Sequence, residues 1–439
     1  MKALLVIHGY PRRYNAGSEV YTQTLAHALS DKGCEVEVFA RQEDPFLPDY
    51  TLQTETDPVR DNIPVHLVNH ARSNSRFQNH HIDKVFERVI HSASPDIVHF
   101  GHLNHLSMGL PLVAKSCGLP VVFTLHDFWL MCPRGQFLQC GLSSGEPWSI
   151  CDGQENRKCA TQCYNRFIEG VRPDEETRYW ERWIGNRMEQ AHRTCDNVDL
   201  FIAPSRHLMC RYVNEFGLEE EKTVFTDYGF DRDRYKGRQR ECEKDFVFGF
   251  IGRHSPSKGI HLLIEAFSGI PGGARLRIWG RAEGQLTASL KHQAADYPNT
   301  ASRIEWMSEY RNEDIVRDVF NRCDCIVVPS IWDENSPLVI HEAQQCRVPV
   351  ITASHGGMGE YVKNGENGLT FRHRDSDDLR TAMRAAVADP VSLKRMGKRG
   401  YLFSDDGQIP CARRHADEVL RHYGRLTQGA SQSGREASS

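Results

Sequence analysis

The chain has 439 residues, 39% of them hydrophobic; that is too long for one comfortable core and predicts two domains. Lys plus Arg number 54 against 58 Asp plus Glu, a net charge of −4, which gives no general electrostatic case for a nucleic-acid partner.

No stretch reaches the length of a membrane-spanning helix. The opening MKALLVIHG has a short apolar run, Ala3 to Ile7, and reads as a first core strand rather than a signal peptide. The expected location is the cytoplasm. Peripheral contact at the inner membrane surface stays open, because a small amphipathic patch hides easily in a globular sequence. Fourteen cysteines scattered over this length do not make a disulfide scaffold.

Residues 2–9 predict a strand. After PRRYNAG, Val20, Leu25, Ala28 and Leu29 recur at helical spacing up to Gly33. Residues 34–41 predict a second strand, which completes a βαβ unit. Further strands at 63–69, 96–100, 120–127 and 199–205 predict a parallel α/β domain over residues 1–215. A long insertion, about 128–172, interrupts it and carries Cys132, Cys140, Cys151, Cys159 and Cys163; loops of that length are commonly functional. The charged stretch 216–245 reads as the crossing into a second α/β domain, predicted over 216–407. A helix at 408–426 precedes a polar tail, 427–439, which has little to bury and is expected to be disordered.

Glu334 and Glu342 stand out in SIWDENSPLVIHEA, with seven residues between them. The first follows an apolar strand and the second lies about two helical turns on. Sugar and ribose hydroxyls suit such acceptors; a helix-capping Glu334 and an ion-paired surface Glu342 are the bland alternatives. Arg253 and Lys258 in GRHSPSKG follow a strand and precede a helix start. An Arg fork, a Lys point charge and free helix amides together suit a diphosphate. Asn335, Ser336 and Pro337 repeat that logic at the next helix. His126 and Asp127 close the strand VVFTLHD. A hydrogen bond to a sugar hydroxyl is the modest role for His126, and a packed neutral histidine the alternative. Gly17, beside Arg12 and Arg13, follows the first strand without a GxGxxG or GK[ST] pattern. Among the insertion's cysteines only CATQC is closely spaced. Free or disulfide-bonded thiols stand ahead of a structural zinc on Cys140, Cys151, Cys159 and Cys163.

Together these segments resemble the retaining glycosyltransferases of the glycogen-synthase-like superfamily, family four. Glu334 and Glu342 match the two-glutamate motif, and Arg253 and Lys258 the basic diphosphate motif. Gly17 matches the glycine loop, with Ala16 where many relatives have a second glycine. His126 matches the histidine that meets the donor sugar, and HDFWLMCPRG resembles cysteine-containing insertions of some bacterial relatives.

The resemblance implies a GT-B architecture: two Rossmann-like domains facing across a cleft, with the 408–426 helix crossing back to the first. It implies a nucleotide-diphosphate sugar of UDP or GDP type as donor, and no cofactor or metal needed for catalysis. His126, Arg253, Lys258 and Glu334 would be catalytic. Gly17, Met307, Asn335, Ser336, Pro337, Leu338 and Glu342 would join them in holding the donor. Retention at the anomeric carbon is implied, with transfer to a hydroxyl of a saccharide, glycolipid or small natural product. Arg12, Arg13, Tyr14, His102, Asn104 and the insertion are the acceptor-side candidates. A non-catalytic nucleotide-sugar-binding subunit and an epimerase-like enzyme on the same frame are the competing readings, and oligomeric state is open.

Overall fold

The computed structural model describes residues 1–72, 76–141, 148–165, 170–241 and 243–436, with side chains to 428. Two separate sheets carry the chain. The first holds β1 (Lys2–Ile7), β2 (Glu35–Gln42), β3 (Leu52–Thr56), β4 (Pro64–Asn69), β5 (Ile97–Phe100), β6 (Val121–Thr124), β7 (Leu200–Ala203) and β8 (Thr223–Phe225). Its strand order is β3-β4-β2-β1-β5-β6-β7-β8. Every pairing is parallel except β3 with β4. The second sheet holds β9 (Phe246–Ile251), β10 (Ala274–Trp279), β11 (Ile304–Trp306), β12 (Cys325–Val328), β13 (Val350–Ala353) and β14 (Gly368–Phe371), ordered β11-β10-β9-β12-β13-β14 and wholly parallel. Runs such as ALLVI and CIVV are buried on both faces, as central parallel strands require. This is the two-domain GT-B arrangement.

Four details differ from the sequence reading. The antiparallel edge strand β3 is polar and mostly exposed, so it carries no apolar period to betray it. The first sheet extends past residue 215, because Phe201 of β7 pairs with Thr223 of β8. The strand at 120–127 stops at Thr124, and Leu125–Asp127 turn out as a loop at its carboxyl end. The last helix, Ala412–Glu436, takes in most of the tail expected to be disordered; extending a helix already nucleated is far easier than starting one.

Two crossings join the domains side by side. The outgoing chain at Phe230 hydrogen-bonds the returning chain at Pro410 and Ala412. The last helix then lies on the first domain. His415 Nε2 meets Tyr21 Oη at 2.8 Å and Tyr423 Oη meets His99 Nδ1 at 2.6 Å. Ala416, Val419 and Tyr423 are fully buried there. A second seam is set by Ile331 and Trp332, which leave the end of β12 and bury among first-domain core residues such as Phe128 and Tyr212.

Candidate active site in the cleft

Strand order reverses between β1 and β5 in the first sheet and between β9 and β12 in the second. Open α/β sheets bind ligands at such reversals, outside the strands' carboxyl ends. His8, Gly101 and His102 follow β1 and β5; Arg253–Lys258 and Ser330–Glu334 follow β9 and β12. Topology thus brings together residues more than 200 positions apart.

On the second-domain wall, Glu334 Oε1 accepts from Lys258 Nζ at 2.6 Å and from Ser330 Oγ at 2.7 Å. Glu334 is only 5% exposed, so the ammonium answers a carboxylate that would otherwise be buried alone. Lys258 also stands 5.6 Å from the centre of the Trp332 ring. Its turn is fixed by Gly259 at φ +70°, where a Cβ would lie 1.9 Å from the Pro329 carbonyl oxygen. Only glycine fits there. Gly357 serves the same end from another side: its amide donates to Glu334 O at 2.8 Å, and a Cβ would overlap the Asn335 carbonyl.

The helix Leu338–Gln345 starts beside Asn335 and Ser336, with Pro337 at its cap position and no side chain capping it. The first-domain helix Gly17–Asp31 likewise begins without a side-chain cap. The two starts meet: a Cβ on Gly17 would lie 3.2 Å from Leu338 Cδ1. Two helix N-termini without side-chain caps thus meet at one gap, a setting that favours an anion. Ala16 is extended, at φ −81° and ψ 175°, so its side chain brings no backbone strain.

Glu342 sits further along its helix and accepts from Tyr235 Oη at 3.0 Å. Burial raises its carboxyl pKa, and the Tyr235 bond offsets part of that rise. Together with Tyr21, Tyr228, Arg234, Tyr235 and Leu338 it lines a pocket between the first helix and the interdomain crossing.

His126 faces this gap from the first domain. Its Nδ1 meets Tyr228 Oη at 2.7 Å, and its ring stacks on Tyr228 with 5.6 Å between centroids. Asn335 Nδ2 donates to the His126 carbonyl at 3.3 Å; a neutral ring that accepts the Tyr228 hydroxyl proton on Nδ1 carries its own hydrogen on Nε2. That atom is shielded from solvent and has no partner among the described residues. Desolvation, reinforced by His102, pulls the His126 pKa down to about 3. The ring is a neutral donor at physiological pH. Nearby, Glu19 pairs with His8 at 3.3 Å. Burial alone would raise its carboxyl, but bonds from His8 and Ser18 bring it down to about 2. His102 is held between Asp127, 3.4 Å from its Nε2, and the Asn104 amide on its Nδ1.

The other expected residues fall less centrally. Arg253 is largely exposed, 3.4 Å from Glu283. Met307 closes β11 with its amide on Ile278 O. Arg13 is committed to Gln42 and Glu55, Arg12 reaches Pro58 O, and Tyr14 accepts from Arg41. This trio leans toward the β2–β3 side. Tyr228, Tyr235 and Asp333 were not anticipated. The two tyrosines lie in a stretch that reads as a linker. Asp333 fastens the domains by accepting from Arg211 Nη1 at 2.6 Å, with His207 Nε2 2.8 Å from its other oxygen. Its only signal was a place beside Glu334.

The cysteines of the insertion are thiols. Cys132, Cys151, Cys159 and Cys163 line one cavity, while Cys140 stands outside that wall against Cys163. Among the described residues no three His, Cys, Asp or Glu side chains are already set around a common metal position, and no helix is long and apolar enough to cross a membrane.

The family model described as Glycosyltransferase Family 4 matches residues 15–234, and that of Glycosyl transferases group 1 matches residues 231–403. A D-inositol 3-phosphate glycosyltransferase of Rhodococcus opacus is 27% identical over 210 residues, 44% of this chain and 47% of that protein. An uncharacterized glycosyltransferase of Methanocaldococcus jannaschii is 30% identical over 174 residues, 39% of this chain and 47% of its own. The chain thus spans about half the length of these curated relatives. Among solved structures, Anabaena HepE in complex with UDP superposes with a TM-score of 0.68 at 17% identity, over 97% of this chain and all of that one. The sucrose-phosphate synthase of Thermosynechococcus elongatus gives 0.65 at 17% identity over the whole of both chains.

Proposed function

The chain belongs to the GT-B glycosyltransferases, with a Family 4 first half and a group 1 second half, and from that premise we propose that it moves a sugar from a nucleoside-diphosphate sugar to an acceptor hydroxyl with retention at the anomeric carbon. The observation that carries this reading is the Lys258–Glu334 pair beside two facing, uncapped helix starts.

The diphosphate lies between those starts. Lys258, with Arg253 swinging in from the surface, stabilises the charge that builds on it as the bond to the sugar breaks. Both observed bonds to Glu334 fall on Oε1, so Oε2 is offered to the sugar hydroxyls. Glu342 takes the ribose hydroxyls, exchanging Tyr235 for the ligand. His126 donates from Nε2 to a sugar hydroxyl. The acceptor oxygen attacks the anomeric carbon on the face the diphosphate leaves, and its proton passes to the departing phosphate oxygen. No protein base and no metal is needed for that exchange. The acceptor sits at the ends of β1, β5 and β6, near His8, His102 and Asn104. The relatives named for D-inositol 3-phosphate support a polyol or saccharide hydroxyl.

Calorimetric titration with UDP, GDP, ADP and TDP tests the donor site. One nucleotide should bind selectively, and Glu342→Ala and Lys258→Ala should each weaken it. No binding to any of the four sinks the donor assignment. The anomeric configuration of the product, read by NMR, tests retention.

A further inference from the structure

The insertion after β6 has almost no apolar core of its own. Between residues 132 and 165 the described buried hydrophobic side chains are Phe137, Leu138, Ala160 and four cysteines. Those four, Cys132, Cys151, Cys159 and Cys163, come from three separate stretches of chain and still line a single cavity. Cys159 and Cys163 are four residues apart on one continuous turn of helix, a spacing that places two side chains on one face. That turn is locally wound as a π-helix, a rare form concentrated at functional sites. Arg134 lines the same cavity, a cation beside a place where sulfur could carry charge.

We propose that this cavity is a structural zinc site with Cys132, Cys151, Cys159 and Cys163 as its four thiolate ligands. The proposal replaces Cys140 of the sequence-based set by Cys132, because Cys132 lines the cavity and Cys140 does not. The sulfurs must turn onto one centre. Moving a thiol between staggered χ1 positions shifts its sulfur by roughly 3 Å, enough to gather four sulfurs at about 2.3 Å from a tetrahedral ion. Binding releases four thiol protons and leaves a centre of charge −2, half of which Arg134 offsets. A metal there supplies the folding energy that three apolar side chains do not.

The site also bears on the cleft. Cys132 follows three residues after Trp129, whose ring stands 5.1 Å from that of His102 and 4.8 Å from the Arg187 guanidinium. Arg187 in turn donates to the Leu130 carbonyl at 3.3 Å. Zinc would brace this acceptor-side wall and leave the second-domain wall untouched.

The test is the metal content of the full-length protein, purified after growth with added zinc and dialysed, measured by plasma mass spectrometry. One zinc per chain is expected in the wild type and in Cys210→Ser, an exposed cysteine elsewhere. Background levels are expected in Cys159→Ser and Cys163→Ser. Thiol titration of the native wild type should expose four further thiols when a strong chelator is added, with nucleotide binding unchanged. A folded wild-type protein that holds no zinc, a different metal with the same cysteine dependence, or a disulfide mapped among these residues overturns the proposal. If the serine variants do not fold, metal content and chelator-dependent thiol exposure of the wild type still decide it.

Discussion

The two walls of the cleft are built on opposite plans. At the ends of β9 and β12, the charged groups already have partners: Lys258 with Glu334, Arg253 with Glu283, Glu342 with Tyr235. Across the gap, the ends of β1, β5 and β6 present histidines, and two nitrogens, His8 Nδ1 and His126 Nε2, are buried without a partner among the described residues. Paired charges suit the part of a substrate whose charge is constant, the proposed diphosphate and ribose. Neutral imidazoles, able to donate or accept, suit hydroxyls. On the function proposed above, the paired charges hold the diphosphate and ribose, and the histidine wall meets hydroxyls of both the donor sugar and the acceptor.

The comparison breaks most directly if the walls come apart. Asp333 is 5% exposed and holds Arg211 and His207 of the first domain. Asp333→Ala should cost about 1.5–3 kcal/mol of stability, the worth of a hydrogen bond to a charged group, read from urea unfolding, since Arg211 keeps Glu215 at 2.8 and 2.6 Å. A loss near zero would mean that the seam is held elsewhere. Next comes Lys258→Ala, expected to lower kcat by roughly 10²–10³-fold in steady-state kinetics; an unchanged kcat would remove Lys258 from the chemistry.

Acid should act through the buried histidines, among them the pair at the last helix. His99 and His415 anchor the last helix, and burial holds their pKa values near 3 and 4, against about 6.5 in the unfolded chain. Both are therefore neutral in the fold, and the unfolded state binds more protons below pH 6.5. Their stabilising contribution is complete above that pH and is lost as pH falls toward the folded values. At pH 5 the loss should be roughly 2 kcal/mol per histidine. Thermal unfolding from pH 7.5 to 4.5 measures it, and His99→Gln should flatten the slope.

Smaller effects sharpen the division. His126→Gln should reduce kcat/KM for the donor by about tenfold, the worth of one hydrogen bond, while nucleoside diphosphate affinity stays constant. A parallel fall in diphosphate affinity would put His126 on the wrong part of the ligand. Arg60→Ala, which removes an exposed pair with Asp31, should change stability by less than about 1 kcal/mol and leave nucleotide binding intact.

Legibility followed the same division. Lys258, Glu334 and Glu342 could be picked from the sequence because they sit in short contiguous segments whose residue types match a diphosphate and a ribose. Tyr228 and Tyr235 could not, since their stretch has no period and their roles depend on a chain folding past the cleft mouth. Arg12 and Arg13 looked suited to an anion, but Gln42, Glu55 and Pro58, distant in sequence, claim them. Polar β3 carried no hydrophobic signal at all.

By itself the sequence determined the alternation of apolar strands and amphipathic helices, hence two parallel α/β domains, because burial of a sheet on both faces imposes a composition that local patterning reveals. It also determined which residue types stand at strand ends. Tertiary structure alone decided which of those ends meet. Strand order places the β1/β5 and β9/β12 reversals opposite each other, the last helix returns to lock that arrangement, and a histidine loses its charge only when the neighbours that exclude water arrive from elsewhere in the chain.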